Sequence, residues 1–203
     1  MKDEKKHHKI IQAAAKVFAE KGFYNSRVSE IAKEANVADG TIYLYFKNKD
    51  DILISLFEEE FGKIVQNIRR DLSEEKDALH KIRRFAFAHL AIVSETPHLA
   101  EVLGVEVRQS GKFMKEYINT PFIEYLNLVR SIFIEGQETG LIRKELTPGV
   151  MKRALFGALD EMGRYWLLSL KKKHSIEEAA HQISDVFIRG VMTEEARKNF
   201  SWT

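Results

Sequence analysis

The chain has 203 residues, 44% hydrophobic and 31% charged, a composition typical of a folded protein and unlike that of a disordered one. Its net charge of +2 and isoelectric point near 8.6 neither require nor exclude a nucleic-acid partner. Because cysteine is absent, disulfide bonds and thiolate metal sites are excluded. The sequence shows no secretory signal and no apolar run long enough to span a membrane, so we expect a soluble cytoplasmic protein.

Apolar residues recur at three- and four-residue spacing along most of the chain, which predicts an all-α fold. Gly22 is expected to end the first helix, and Asn36 the second, because both residues tolerate a left-handed backbone. Ser26 is expected to be the N-cap of the second helix. The three helices predicted at the start of the chain cover residues 5–21, 27–35 and 41–46.

Longer helices follow, and they make up the rest of the chain. Pro148 suits the first position of a helix, with Thr147 as its cap, and Ser175 with Glu178 forms the pattern of a capping box. The longer predicted helices cover residues 49–71, 76–94, 98–109, 112–138, 148–172 and 176–197. We therefore predict two domains, a compact N-terminal head over 1–48 and a helical bundle over 49–203.

Two short helices joined by a tight turn at 27–46 fit a helix-turn-helix, whose second helix lies in the major groove of DNA. Ile42 and Phe46 lie four residues apart on that second helix, which predicts that both side chains face inward. The hydroxyl groups of Thr41, Tyr43 and Tyr45 suit phosphate oxygens. The alternative interpretation is structural: Tyr43 and Tyr45 are half-buried packing residues, and the lysines after them belong to a solvated turn.

Other residues near this turn have chemistry that suits DNA. Lys49 begins the next helix, where its ammonium group adds to the positive helix dipole against a phosphate. Asp39, Gly40 and Leu44 are placed, with Thr41, to approach base edges, and a glycine lets the backbone come close.

The segment VSEIAKEANVADGTIYLYFKNKDDIL, residues 28–53, closely resembles the DNA-binding segment of the TetR family of bacterial transcriptional regulators. The resemblance implies a homodimer with a three-helix DNA-binding head and a helical ligand-binding and dimerisation body. Ala38 stands where many members have a capping serine, so Asp39 is expected to cap the helix instead. The positions that match residues commonly touching operator DNA are Ser26, Arg27, Thr41, Tyr43, Tyr45 and Lys49.

The body carries a second resemblance. The segment VEVRQS, residues 105–110, is similar to the fatty-acid-degradation repressors of the TetR type, which implies release from a palindromic operator by long-chain acyl-CoA. Apolar and aromatic residues mixed with small ones leave room for an acyl chain, although helical bundles need such residues for their cores in any case. The candidate ligand-binding residues are Phe85, His89, Val105, Arg108, Phe133 and Trp166.

The last two predicted helices each carry an apolar face that suits a two-fold dimer interface. We therefore predict a dimeric, ligand-responsive repressor without cofactor or metal. One alternative is a TetR-type regulator of another hydrophobic ligand, such as a drug or efflux substrate. An enzyme is disfavoured, because no catalytic motif occurs and the adjacent His7 and His8 lie near the chain terminus, where we expect no rigid site. A protein-interaction module would leave the hydroxyls and lysine of 41–49 unexplained.

Overall fold

The structure is a computed structural model that describes residues 4–102, 120–169 and 173–200. A π-helical turn, Phe57–Phe61, joins two of the helices, and residues 97–102 are also helical. The all-α fold class is confirmed. The helices are α1 (Glu4–Lys21), α2 (Val28–Glu34), α3 (Asp39–Tyr45), α4 (Lys49–Leu56), α5 (Gly62–Ser73), α6 (Ala78–Glu95), α7 (Thr120–Glu138), α8 (Pro148–Leu168), α9 (Ile176–Val191) and α10 (Glu194–Asn199).

The chain divides into two compact units. Unit 1 comprises Met1–Ile64 with Thr96–Pro121, and unit 2 comprises Val65–Glu95 with Phe122–Thr203. The predicted boundary between residues 48 and 49 stays a prediction, and in the structure the residues from 49 to 64 pack with the head. Among the described residues, no helix is both long and apolar enough to cross a membrane.

Unit 1 is built on α1, which packs against α2 and α4, while α2 packs against α3. Gly22 and Asn36 adopt φ angles of 74° and 50°, so both predicted left-handed turns are confirmed. Ile42 and Phe46 are 1% and 2% exposed, as their spacing predicts. These inward side chains fix α3 on the small core and leave its other face outside.

Two predicted helix caps in unit 1 are wrong. Arg27 is the N-cap of α2, and Glu30 accepts a hydrogen bond from the Arg27 backbone nitrogen at 2.9 Å. Ser26 is buried instead, and its hydroxyl donates to the Gly22 carbonyl at 2.7 Å, because that carbonyl at the end of α1 has no helical partner. Ala38, which offers no side-chain cap, is the N-cap of α3, and Asp39 is the first helical residue.

Unit 2 is held together by α6, which packs against α8 and α9. Gly163 of α8 faces α6 so closely that an added Cβ would lie 3.0 Å from Cγ2 of Val93. This glycine therefore serves packing within the subunit. Gly157, by contrast, has open space around its Cα.

The predicted helix over 176–197 is wrong in one respect, because it breaks between α9 and α10. Met192 leaves the helix and forms an isolated antiparallel bridge with Ile142. Thr193 then donates its backbone N–H to the Leu141 carbonyl at 3.0 Å and caps α10 by accepting from the Ala196 nitrogen. Threonine is a good N-cap, so the local sequence already favours a new helix start at this point.

Candidate nucleic-acid interface and ligand-binding interior

The outer face of α3 is open to solvent. Tyr43 and Leu44 are 58% and 66% exposed, and Asp39 and Gly40 are also exposed. Two large side chains that are mostly exposed thus lie next to each other on this short helix. The structure thus presents four of the predicted DNA-binding residues on one helix, and their contacts with DNA stay a prediction.

Thr41 and Tyr45 of the same helix are half-buried. The Tyr45 ring packs against the head core, with centroids 6.1 Å from the His7 ring and 6.4 Å from the Phe46 ring. Packing and DNA contact are compatible for tyrosine, because its ring is apolar and its hydroxyl is polar. Arg27, at the start of α2, is exposed.

The Lys49 side chain joins α4 to the turn between α1 and α2. Its ammonium group donates to three backbone carbonyls of the α1–α2 turn, at 2.6 Å to Phe23, 3.2 Å to Tyr24 and 3.0 Å to Ser26. The same nitrogen lies 4.5 Å from the centroid of the Phe23 ring. A lysine ammonium has three N–H donors, so these carbonyls engage all of them.

This arrangement, which we call the Lys49 tether, joins the first turn of α4 to the turn that precedes α2. The predicted contact between Lys49 and a DNA phosphate stays a prediction, since the ammonium group is committed to carbonyls in this structure. The sequence did not reveal the tether, because its acceptors are backbone atoms of any residue type. Ser26 takes part through its carbonyl, while its buried hydroxyl faces the carbonyls of Val17 in α1 and of Gly22 directly after it.

The start of α4 is fixed by a second set of contacts. The Asn48 side chain caps the helix by accepting from the Asp51 nitrogen at 2.8 Å, and the Asp51 carboxylate accepts from the Lys47 nitrogen at 2.8 Å. The first bond satisfies a backbone donor that the helix N-terminus leaves unpaired, and the second ties the residue before the cap to the first turn of α4. Lys49 is therefore held at a defined position when its side chain reaches the turn.

The interior of unit 2 contains an aromatic cluster with a polar pair inside it. Nδ1 of His89 is hydrogen-bonded to the Tyr125 hydroxyl. The Phe85 ring centroid lies 5.1 Å from that of Tyr125, and the Phe156 ring meets His89 edge-on at 5.7 Å. Phe122 also packs edge-on against Phe156, at 5.6 Å. We call these residues the His89–Tyr125 cluster.

Burial keeps both members of the polar pair neutral. Desolvation lowers the pKa of His89 to about 4, and the negative field of Asp160 only partly opposes this. Burial, followed by the charge of Asp160, raises the pKa of Tyr125 well above its ordinary value. Burying a neutral hydrogen-bonded pair in an apolar interior costs little free energy, whereas burying an ion there costs much more.

The predicted ligand-binding residues are placed unequally. Phe85 and His89 meet in the cluster, while Phe133 is buried on α7 and Trp166 is half-buried on α8. Val105 and Arg108 lie outside the described residues. Phe156 and Asp160 are not among the residues predicted from the sequence. Their four-residue spacing on one helix was a usable signal, because it places an aromatic ring and a carboxylate on the same face.

Comparison with known families decides what kind of protein this is. Residues 10–56 match the model of bacterial regulatory proteins of the tetR family, and residues 57–190 match that of the C-terminal region of YsiA-like protein. The chain belongs to the TetR family of transcriptional regulators. The segment on which the resemblance was based, 28–53, lies within the first match. Members of this family are regulators rather than enzymes.

Individual relatives cover nearly the whole of this TetR-family chain. It is 37% identical over 186 residues to the fatty acid metabolism regulator protein of Bacillus subtilis, covering 92% of this chain and 95% of the relative. The crystal structure of FadR from the same organism with stearoyl-CoA has a TM-score of 0.82 at 37% identity, covering 90% of this chain and 98% of that one. FadR from Bacillus halodurans has a TM-score of 0.84 at 37% identity, covering 94% and 98%.

We expect Lys49→Met to lower the free energy of unfolding by about 1–3 kcal/mol, because three carbonyls lose a charged donor while the aliphatic stem stays over Phe23. Urea denaturation measures this. Lys47→Met is the control, because Lys47 is exposed two positions away, and it should change stability little. Equal stability of the two variants would show that the tether contributes nothing.

The free energy of unfolding should also depend on the protonation of His89. Its folded pKa of about 4 lies below the usual histidine pKa of about 6.5, so only the unfolded chain gains a proton between these values. The stabilisation that comes from keeping His89 neutral is fully present above about pH 6.5. It is lost as the pH falls toward 4, which lowers the free energy of unfolding by about 1–3 kcal/mol. His89→Gln should lose this pH dependence, and His174→Gln, at an exposed position, should keep it.

Proposed function

We propose that this chain is a cytoplasmic, dimeric repressor that binds a palindromic operator, is released by long-chain acyl-CoA and controls genes of fatty-acid degradation. The observation that carries the proposal is the 37% identity over 92% of the chain to a fatty acid metabolism regulator. The similarity spans both the head and the body, so it includes the region that reads DNA and the region that takes the ligand.

In the head, α3 is the helix that enters the major groove. Its inner side chains lie in the core, so its exposed face, with Tyr43 and Leu44, is the surface available to DNA. The Tyr43 hydroxyl suits a phosphate oxygen, and Leu44 suits an apolar base edge such as a thymine methyl group. Gly40 has no atom within 4 Å of the position of a Cβ, so the backbone there is open to close approach.

In the body, the His89–Tyr125 cluster provides a lining that suits an acyl chain. Its rings are apolar, and its polar pair is neutral and already hydrogen-bonded, so a hydrocarbon buried against His89 and Tyr125 desolvates no charge on either of them. Each buried methylene is worth about 0.8 kcal/mol, or roughly a fourfold gain in affinity. A sensor of this design distinguishes long chains from short ones by length alone.

Two exposed stripes on α8 and α9 support a dimer of the four-helix type. On α8, Val150, Ala154 and Gly157 follow one another at four- and three-residue intervals, and Tyr165 and Leu168 continue the same face beyond the exposed Glu161; Val150, Tyr165 and Leu168 are 57%, 47% and 63% exposed. On α9, Val186 is 69% exposed, and Ile183 and Phe187 beside it are half-buried. An apolar stripe that the subunit itself leaves uncovered is explained by a second copy, and a two-fold dimer also matches a palindromic operator.

Ligand and operator are coupled by their preference for different states of the dimer. Acyl-CoA weakens DNA binding only by the factor by which it prefers the state with low DNA affinity. The coupling is reciprocal, so operator DNA must weaken acyl-CoA binding by the same factor. Measurement of both affinities therefore tests the scheme without knowledge of the structural change.

We expect purified dimer to retain a specific DNA duplex, selected from genomic fragments, and to release it when palmitoyl-CoA or oleoyl-CoA is added. Fluorescence anisotropy of labelled duplex gives both affinities. Hexanoyl-CoA should be far weaker, because it buries fewer methylenes. Free CoA is the negative control. Specific binding that ignores all acyl-CoAs would remove the ligand from the proposal and leave the DNA-binding assignment standing.

Tyr43→Phe is the matched variant for the DNA contact in the same assay. Each subunit loses one hydroxyl, so the dimer loses two hydrogen bonds to DNA, worth about 0.5–1.5 kcal/mol each. The affinity of the dimer for operator DNA should therefore fall roughly tenfold. Because Tyr43 is exposed, the melting temperature should stay unchanged. An unaltered operator affinity would remove Tyr43 from the interface.

Val186→Lys should convert the dimer to a monomer and abolish tight operator binding, because two ammonium groups would be buried in a two-fold interface. Analytical ultracentrifugation measures the mass in solution. Ile123→Lys is the control, since Ile123 of α7 is 43% exposed and lies outside the two stripes. If Val186→Lys stays dimeric, the interface lies elsewhere.

A further inference from the structure

Two adjacent histidines of α1 face two adjacent glutamates of the π-helical turn, all within unit 1. Nδ1 of His7 lies 3.3 Å from a carboxylate oxygen of Glu59, and Nδ1 of His8 lies 3.5 Å from one of Glu60. From the sequence alone, no rigid site is expected at His7 and His8. In the structure both residues are helical, since α1 begins at Glu4.

The π-helical turn explains why the glutamates point toward α1. Phe57 and Phe61, at its two ends, are 1% and 3% exposed and anchor the turn in the core. The residues between them are left on the outer side, and Glu60 keeps only 16% of its side chain accessible. Single π-helical turns within longer helices occur frequently at functional sites.

We propose that His8, Glu59 and Glu60 form a binding site for a divalent transition metal ion of the zinc type. One ligand atom from each residue lies within 4.8 Å of the other two. Tetrahedral ligand bonds of about 2.0–2.2 Å place the ligand atoms about 3.4 Å apart, so the side chains must rotate to contract this triangle when the ion binds. Imidazole and carboxylate suit Zn²⁺ and its neighbours such as Co²⁺ and Ni²⁺, and three protein ligands leave one position for water.

Lys63 sets the affinity of the site. Its ammonium nitrogen lies 2.7 Å from Oε1 of Glu60, the same oxygen that faces His8. An ammonium group and a divalent cation compete for this oxygen and repel each other, so metal binding requires Lys63 to swing away. Its side chain is 57% exposed, so it has room in solvent to do so.

The site lies next to the end of the DNA-reading helix. The His7 ring stacks on the Phe46 ring, with centroids 4.8 Å apart, and Phe46 immediately follows α3. His7 also faces Glu59, which is one of the proposed ligands. A metal ion that joins His8 to this glutamate would cross-link α1 to the π-helical turn and stiffen the support on which α3 rests.

The test is isothermal titration calorimetry of the untagged full-length chain with ZnCl₂ at neutral pH, together with thermal unfolding. The expected result is one Zn²⁺ per chain and a raised melting temperature, because an ion that binds only the folded state stabilises it. His8→Ala and Glu60→Gln should each weaken binding by about tenfold or more, since each removes a ligand. Lys63→Gln should tighten binding by about tenfold, because it removes a competing cation.

His174→Ala is the matched control. His174 also faces a carboxylate, with Nδ1 3.7 Å from an oxygen of Glu178, and both residues are exposed. This variant should bind Zn²⁺ like the original chain. The proposal is overturned if His8→Ala and Glu60→Gln retain the original affinity, if Lys63→Gln does not tighten binding, or if the original chain binds no Zn²⁺. These measurements do not use operator affinity, so their outcome does not depend on whether the proposed function is correct.

Discussion

The DNA-binding head depends on how the turn between α1 and α2 is held, and one ammonium group holds it. A turn exposes backbone carbonyls that no helix satisfies, and three of them converge on Lys49. The Ser26 hydroxyl completes the arrangement by bonding to the end of α1. Because α2 begins directly after this turn, these backbone contacts help to orient the helix-turn-helix, together with Glu30 of α2, whose carboxylate accepts from Lys21 of α1.

The sequence predicted those parts of the fold that depend on one short segment alone. The inward side of α3, with Ile42 and Phe46, follows from helical spacing alone, and the two left-handed turns follow from Gly22 and Asn36. Features that depend on two distant segments were not predictable in this way. The bridge between Met192 and Ile142 joins two distant segments, and the role of Lys49 requires carbonyls more than twenty positions earlier.

The same distinction applies to the two candidate sites. The exposed face of α3 was predictable, because every residue that does not face the core of a short helix must face outward. The polar pair of unit 2 was not, since a histidine on one helix and a tyrosine on another show no shared sequence signal. The sequence shows only that many aromatic residues occur in that region. Their arrangement around one neutral hydrogen bond emerged only from tertiary packing.

The bridge between Ile142 and Met192 ties the end of α9 to the segment that follows α7. Two backbone hydrogen bonds flank it, donated by the nitrogens of Arg143 and Thr193 at 2.9 Å and 3.0 Å. A backbone amide held in this way exchanges its hydrogen with solvent only when the local structure opens. The exchange rates of these two amides therefore report how often the end of α9 separates from the segment after α7.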